Sequence, residues 1–165
     1  MDGLLIDVGD LVGHPGVHRD ISGQMPVKLK VGESRVDDVA TVTARLESIP
    51  DAILVTATAA SPAHHECARC LIEWDDELEV EFTELFARRP SEDLSTINHD
   101  ATIDLGQVVH DELSLALSPD PLCKPGCLGL CPTCGADLNT DPCAGHGDES
   151  ASPFAALKQL FQAES

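Results

Sequence analysis

The sequence has no tyrosine, one tryptophan and four phenylalanines in 165 residues, so any core has to be assembled mainly from aliphatic side chains. It is also short of cations: ten Lys and Arg stand against 29 Asp and Glu, a formal charge of -19. Such a surface repels a phosphate backbone over most of its area, which argues against a general nucleic-acid-binding protein. No run approaches the roughly 20 apolar residues of a membrane span, and Met1-Asp2-Gly3-Leu4-Leu5 lacks the basic flank of a signal peptide. A cytoplasmic protein without membrane association is therefore expected. A Gly-rich phosphate loop, a Gly-x-Ser-x-Gly elbow and a His-Glu-x-x-His helix are all missing. Nothing asks for catalysis, and no small-molecule substrate is inferred. What is present is a chain of one-domain length, 1–165, with 42% apolar residues and seven cysteines. In a reducing compartment, cysteines in short spacings point to metal or thiol chemistry instead of disulfides.

Along the chain the hydrophobic period changes once. After a loop-like start with Gly9, Gly13, Pro15 and Gly16, Val27, Leu29 and Val31 alternate with Lys28 and Lys30, so a first strand is expected near Pro26. Val42, Ala44 and Leu46 alternate next, turn residues follow at Pro50 and Asp51, and Ile53, Val55 and Ala57 resume, which reads as a hairpin. Leu78, Val80 and Phe82 alternate with Glu77, Glu79 and Glu81, a strand with one apolar and one acidic face. Residues 90–102 read as a surface loop. From there Leu105, Val108, Val109, Leu113 and Ala116 follow helical spacing, with Asp104 suited to the N-terminal cap and Pro119 and Pro121 closing the segment. The expected fold is thus α+β. An antiparallel β-sheet or small barrel fills the mainly β part, 1–89. The part 103–165 holds a helix over 104–117, a Cys-rich, zinc-ribbon-like segment over 123–146 and a short C-terminal helix. That last helix opens at Ser152-Pro153 and gathers Phe154, Leu157, Leu160 and Phe161 on one face.

Two cysteine pairs have the two-residue spacing that lets both thiolates of a tight turn face one ion: Cys67-Ala68-Arg69-Cys70 and Cys131-Pro132-Thr133-Cys134, the second followed by Gly135. A glycine there suits a knuckle turn with positive φ. Cys123, Cys127, Cys143 and His146 are further possible ligands. A four-thiolate zinc site from Cys67, Cys70, Cys131 and Cys134 is the first expectation, a local site from Cys123, Cys127, Cys131 and Cys134 its rival, and the eight residues can serve one site or two. Cys127-x3-Cys131-x2-Cys134 also matches the spacing of radical enzymes that hold a four-iron cluster, but only some thirty residues follow it here. Thioredoxin-like chemistry is disfavoured by Pro132 and by the lack of a βαβ pattern. His64 and His65 read as a solvated pair in a Ser/Pro/Ala loop. The series Glu73, Asp75, Asp76, Glu77, Glu79, Glu81 and Glu84 reads as a solvated strand face able to dock a basic partner.

Several of these stretches together resemble one family. Glu66-Cys67-Ala68-Arg69-Cys70-Leu71, the acidic strand ending in Glu84-Leu85-Phe86, Ile103-Asp104-Leu105, and Leu113-Ser114-Leu115-Ala116-Leu117 with Pro119 and Pro121 are similar to segments of the bacterial and plastid YceD family. So are Cys123-x3-Cys127-Leu128-Gly129-Leu130-Cys131-Pro132-Thr133-Cys134-Gly135-Ala136-Asp137-Leu138-Asn139 and the terminal Pro153-Phe154-Ala155-Ala156-Leu157. The resemblance runs from about residue 4 to residue 162. It implies a role in accumulation of the large-subunit (23S) ribosomal RNA, hence ribosome biogenesis without a known reaction, for a family whose gene often lies beside that of a large-subunit ribosomal protein. Some members lack most of the C-terminal cysteines, which implies that any metal is scaffolding. Where the family often has Cys-x-Cys, this chain has Cys143-Ala144-Gly145-His146, which leaves the last ligands open.

Charge refines that expectation. Residues 90–165 hold two Lys or Arg against twelve Asp or Glu, and residues 1–89 hold eight against seventeen. Both halves being acidic, the expected partner is a basic ribosomal protein or assembly factor, with rRNA affected indirectly. The alternative is direct rRNA binding through a local patch of Arg69, Arg88 and Arg89.

Overall fold

The computed structural model describes residues 3–89, 94–141, 143, 145 and 146. After β1 (Leu5–Asp7), four long strands follow as an antiparallel meander: β2 (His18–Val31), β3 (Ser34–Ile49), β4 (Ala52–Glu66) and β5 (Glu73–Ala87). A short β6 (Ser95–Thr96) pairs in parallel with the end of β5, completing a five-stranded sheet in the order β2-β3-β4-β5-β6. β7 (Thr102–Asp104) pairs with β1 in a separate two-stranded ribbon and runs directly into α1 (Leu105–Ala116).

The strands form where the period-2 pattern lets one face be buried. On β3, Val42, Ala44 and Leu46 point inward; on β4, Ile53, Val55, Ala57, Ala59 and Ala63 do; on β5, Phe82 and Phe86 do. The sheet curls into a half-barrel. Its hollow is filled by Leu105, Val109 and Leu113 of α1, which packs against both β2 and β5. The core is aliphatic apart from those two phenylalanines, as the composition requires. Asp104 caps α1, its Oδ1 accepting the Gly106 amide at 2.8 Å.

The α+β expectation is overturned. Strands take up 51% of the described residues and helix 9%, and α1 is the single helix among them. The C-terminal helix expected from Ser152-Pro153 lies outside the described residues. Three local expectations also change. The start of the chain contains β1, β2 begins at His18 and not near Pro26, and the expected surface loop over 90–102 contains β6 and the first residue of β7. Long-range pairing drives these differences: His18 to Gln24 carry little apolar pattern of their own, but β3 supplies a partner for every residue of β2.

β3 and β4 lose register once. Arg35 pairs with His64 and pairing resumes at Thr41 with Ala60, so β3 spends five residues, 36–40, where β4 spends three, 61–63. Asp37, Asp38 and Val39 are consecutively exposed there, breaking the alternation.

Candidate metal centres

β4 delivers the first cysteine. Its inward positions run through Ala63 and His65, and the same alternation brings Cys67, immediately beyond the strand, to full burial. Residues 67–72 reverse the chain into β5, tied by Cys67 N–H to Ile72 C=O (2.9 Å) and Leu71 N–H to Cys67 C=O (3.0 Å). His64 and His65 are strand residues, not a loop pair. His65 is only 8% exposed, stacks on Trp74 with ring centroids 5.2 Å apart, and lies 2.8 Å from Ser34 Oγ and 2.9 Å from Asp76 Oδ1. This serine–histidine–aspartate line carries no nucleophile. Ser34 is fully buried and its hydroxyl donates to the Ser118 carbonyl at 2.6 Å.

That hydroxyl is one of several ties that bring the post-helix segment to Cys67. Glu33 N–H donates to Pro119 C=O (3.1 Å) and Ala68 N–H to Pro121 C=O (2.9 Å). Gly32, at φ 56°, sits so close that a Cβ would lie 2.0 Å from the Pro119 oxygen. The chain then reaches Cys123 and Cys127 beside Cys67 and Cys70.

The result is two separate groups of four ligands. Cys67, Cys70, Cys123 and Cys127 form one; Cys131, Cys134, Cys143 and His146 form the other; within each, all ligand atoms lie within 4.8 Å of one another. In the first, the Cys67 and Cys127 sulfurs are 3.8 Å apart and those of Cys70 and Cys123 3.5 Å. A tetrahedral zinc with Zn–S of about 2.3 Å sets its sulfurs ~3.8 Å apart, so the spacing suits that ion. Disulfide sulfurs would be about 2.0 Å apart, and all seven cysteines are free. The eight residues singled out in the sequence are all present, but Cys67 and Cys70 are not grouped with Cys131 and Cys134, and Cys123 and Cys127 are not grouped with them either.

The thiols titrate as crowded acids. Burial opposes the Cys67 thiolate, but the amides of Cys123, Cys70 and Arg69 outweigh it and lower this thiol to about 6. Its neighbour Cys123 is pushed up to about 12 by the Cys70 thiol and by burial. In the second group the amides of Cys134 and Thr133 lower Cys131 to about 6, and Cys143 is raised, its Gly145 amide contact overcome by Cys131 and burial. Each group thus stabilises one thiolate strongly and resists further negative charge, a frustration that a bound dication relieves.

The surroundings differ. Cys67, Cys70 and Cys127 are buried and pack with Trp74 and Leu130, whereas Cys134 and His146 are exposed. The second knuckle is a tight turn closed by Gly135 N–H to Cys131 C=O (2.9 Å), with Gly135 at φ 73° as the motif requires, and by Cys131 N–H to Ala136 C=O (2.8 Å). Asn139 braces the first group. Its Nδ2 donates to Cys127 Sγ (3.5 Å) and to Asp137 Oδ1 (2.7 Å), while its Oδ1 accepts the Leu128 amide (3.0 Å). Metal spacing does not identify Asn139; only its place in the Cys134-to-Asn139 stretch could have done so.

The three candidate arginines do not form one patch. Arg69 Nη1 donates to the Cys127 carbonyl at 2.8 Å, bracing the first group, while Arg88 and Arg89 follow the far end of β5. Among the described residues no helix is long and apolar enough to cross a membrane.

Residues 55–161 match the profile of the family described as large ribosomal RNA subunit accumulation protein YceD. An uncharacterized protein of Mycobacterium tuberculosis is 34% identical over 98% of this chain and 83% of its own length. One of Mycobacterium leprae is 29% identical over 93% of this chain and 75% of its own. A chloroplastic YCED homolog of Zea mays, named as a large ribosomal RNA subunit accumulation protein, is 35% identical over 38% of this chain and 22% of its own length. No solved structure matches the chain. On the family match and on the mycobacterial relatives, which it parallels almost end to end, the chain belongs to the YceD family of large ribosomal RNA subunit accumulation proteins.

Proposed function

We propose that this protein is a non-enzymatic cytoplasmic ribosome-biogenesis factor that supports accumulation of 23S rRNA by holding a basic ribosomal protein or assembly factor. A structural zinc in the first four-ligand group fastens its C-terminal segment to the sheet, and one in the second holds that segment together. The observation that carries the reading is the outer face of β5. Glu73, Glu77, Glu79 and Glu81 project from one strand, and among the described residues none of them has a Lys, Arg or His within 4.0 Å. Charge of one sign left unpaired over a rigid strand attracts a cationic protein from a distance and repels RNA. Zinc is supported by the tetrahedral sulfur spacing and by donor sets of four thiolates and of three thiolates with one imidazole, both typical of structural zinc.

Two measurements test this. Elemental analysis of protein purified without chelator should give two zinc per chain, with Cys67→Ser and Cys131→Ser each losing one; brown, iron-containing protein would overturn the structural-zinc assignment. Equilibrium binding at physiological salt should favour basic proteins extracted from the large subunit over a 23S rRNA fragment, with affinity falling steeply as salt rises. Tight binding to the rRNA fragment, with the ribosomal proteins ignored, would sink the partner assignment.

A further inference from the structure

A cavity of about 790 Å³ opens where the β3 bulge leaves β4, between the β2–β3 hairpin and the first turn of α1. Its apolar lining is Met25, Val27 and Val39, of which Val39 alone is exposed, and its carboxylates are Asp37, Asp38 and Asp104. The single Lys in its lining, Lys28, lies 3.5 Å from Asp37, and among the described residues Asp38 and Asp104 have no cation within 4.0 Å. Among the described residues β2 is the end strand of its sheet, but Pro26, which lies in the groove lining, has no backbone N–H to offer at that edge.

We propose that this groove is where the basic partner docks: it receives a cationic segment of that protein, whose apolar side chains bury against Val39 while Lys or Arg side chains reach Asp37 and Asp38. The inference rests on the partner reading above and assigns it a place. The groove offers two things that the flat β5 face does not combine: a recess with apolar lining, and carboxylates in excess over cations. Carboxylates beside an apolar wall select a cationic, partly apolar chain and disfavour an acidic one. The bulge makes the site, because without its two additional residues Asp37, Asp38 and Val39 would not stand exposed in succession.

The probe is a fluorescein-labelled peptide of alternating lysine and valine, with an alternating glutamate–valine peptide as control. Both are titrated into the zinc-loaded full chain, into Asp37→Lys/Asp38→Lys, and into the equally charged Asp20→Lys/Asp120→Lys, which lies outside both the groove and the acidic β5 face. All four substituted positions are exposed, so folding should survive. Lysine–valine binding should weaken about tenfold in the groove variant and no more than about twofold in the control variant. The same groove variant should release proteins extracted from the large subunit. Equal losses in both variants, or equal binding of the two peptides, would overturn the groove. If the wild type holds ribosomal proteins and the groove variant holds them equally well, the groove is wrong and the partner reading stands. If the wild type holds none, the partner reading itself fails, whatever the peptides do. A dimer in sedimentation equilibrium that the groove variant dissolves would assign the cavity to a second copy and overturn the proposal.

Discussion

At the scale of single residues, three positions that bind no metal decide whether the cysteines meet. Gly32 is the plainest. Its φ of 56° and a Cβ position 2.0 Å from the Pro119 oxygen leave no room for alanine. Gly32→Ala should cost about 2 kcal/mol or more in urea unfolding, from left-handed backbone strain and from displacing the segment that leads to Cys123. Arg69 and Asn139 act on the first group from outside, through the Cys127 carbonyl and the Cys127 sulfur respectively. Residues in that position commonly tune metal affinity by about 10- to 100-fold. Arg69→Ala and Asn139→Ala should therefore each weaken zinc retention in a chelator competition, leaving the second group's ion in place. If Arg69→Ala instead left zinc untouched and abolished binding to an rRNA fragment, Arg69 would be an RNA contact after all. The sequence made the eight ligand candidates legible because thiol spacing is a local signal. Their partition was not legible: whether Cys67 meets Cys127 or Cys131 depends on where residues 118–121 dock, which is set by Gly32, Ser34 and Ala68 far away in sequence.

At the scale of elements, the alternation of β4 and β5 and the helical spacing of α1 were readable, and α1 lies within a residue of its expected ends. The strand lengths were not, since the polar first half of β2 and the His-bearing end of β4 become strand only through cross-strand pairing. The same pairing buries His65, which composition alone marked as loop. The bulge that shapes the groove was visible only as two aspartates and a valine out of step. For α1, neither the first turn supplies an acid nor the last turn a base, so Asp104 is the main terminal support of the helix. Asp104→Ala should cost about 1 kcal/mol in thermal or urea unfolding, with Asp104→Asn losing much less, because an amide oxygen can still accept the Gly106 N–H.

At the scale of the whole molecule, the sheet and α1 share one continuous aliphatic core, while the cysteine segment is joined to it by hydrogen bonds and by the first ligand group. The two groups should therefore fail separately. Protons compete with metal for every thiolate and for the imidazole, so affinity falls as pH falls. The second group, with Cys134 and His146 exposed, gives water and protons direct access, whereas Cys67 and Cys127 of the first are fully buried. On acidification zinc should leave in two steps, the second group first. Trp74, the only tryptophan, packs against the first group and stacks on His65, so its fluorescence reports that group. A chromogenic dye should record the first equivalent of zinc released with Trp74 emission unchanged, and the second released together with an emission shift. Cys131→Ser should keep only the later step and Cys67→Ser only the earlier. Far-ultraviolet circular dichroism should retain its β signature through both, because the core of the half-barrel contains no metal ligand. Simultaneous release of both equivalents with the emission shift would show that the groups form one cooperative unit, against the separation argued from their burial.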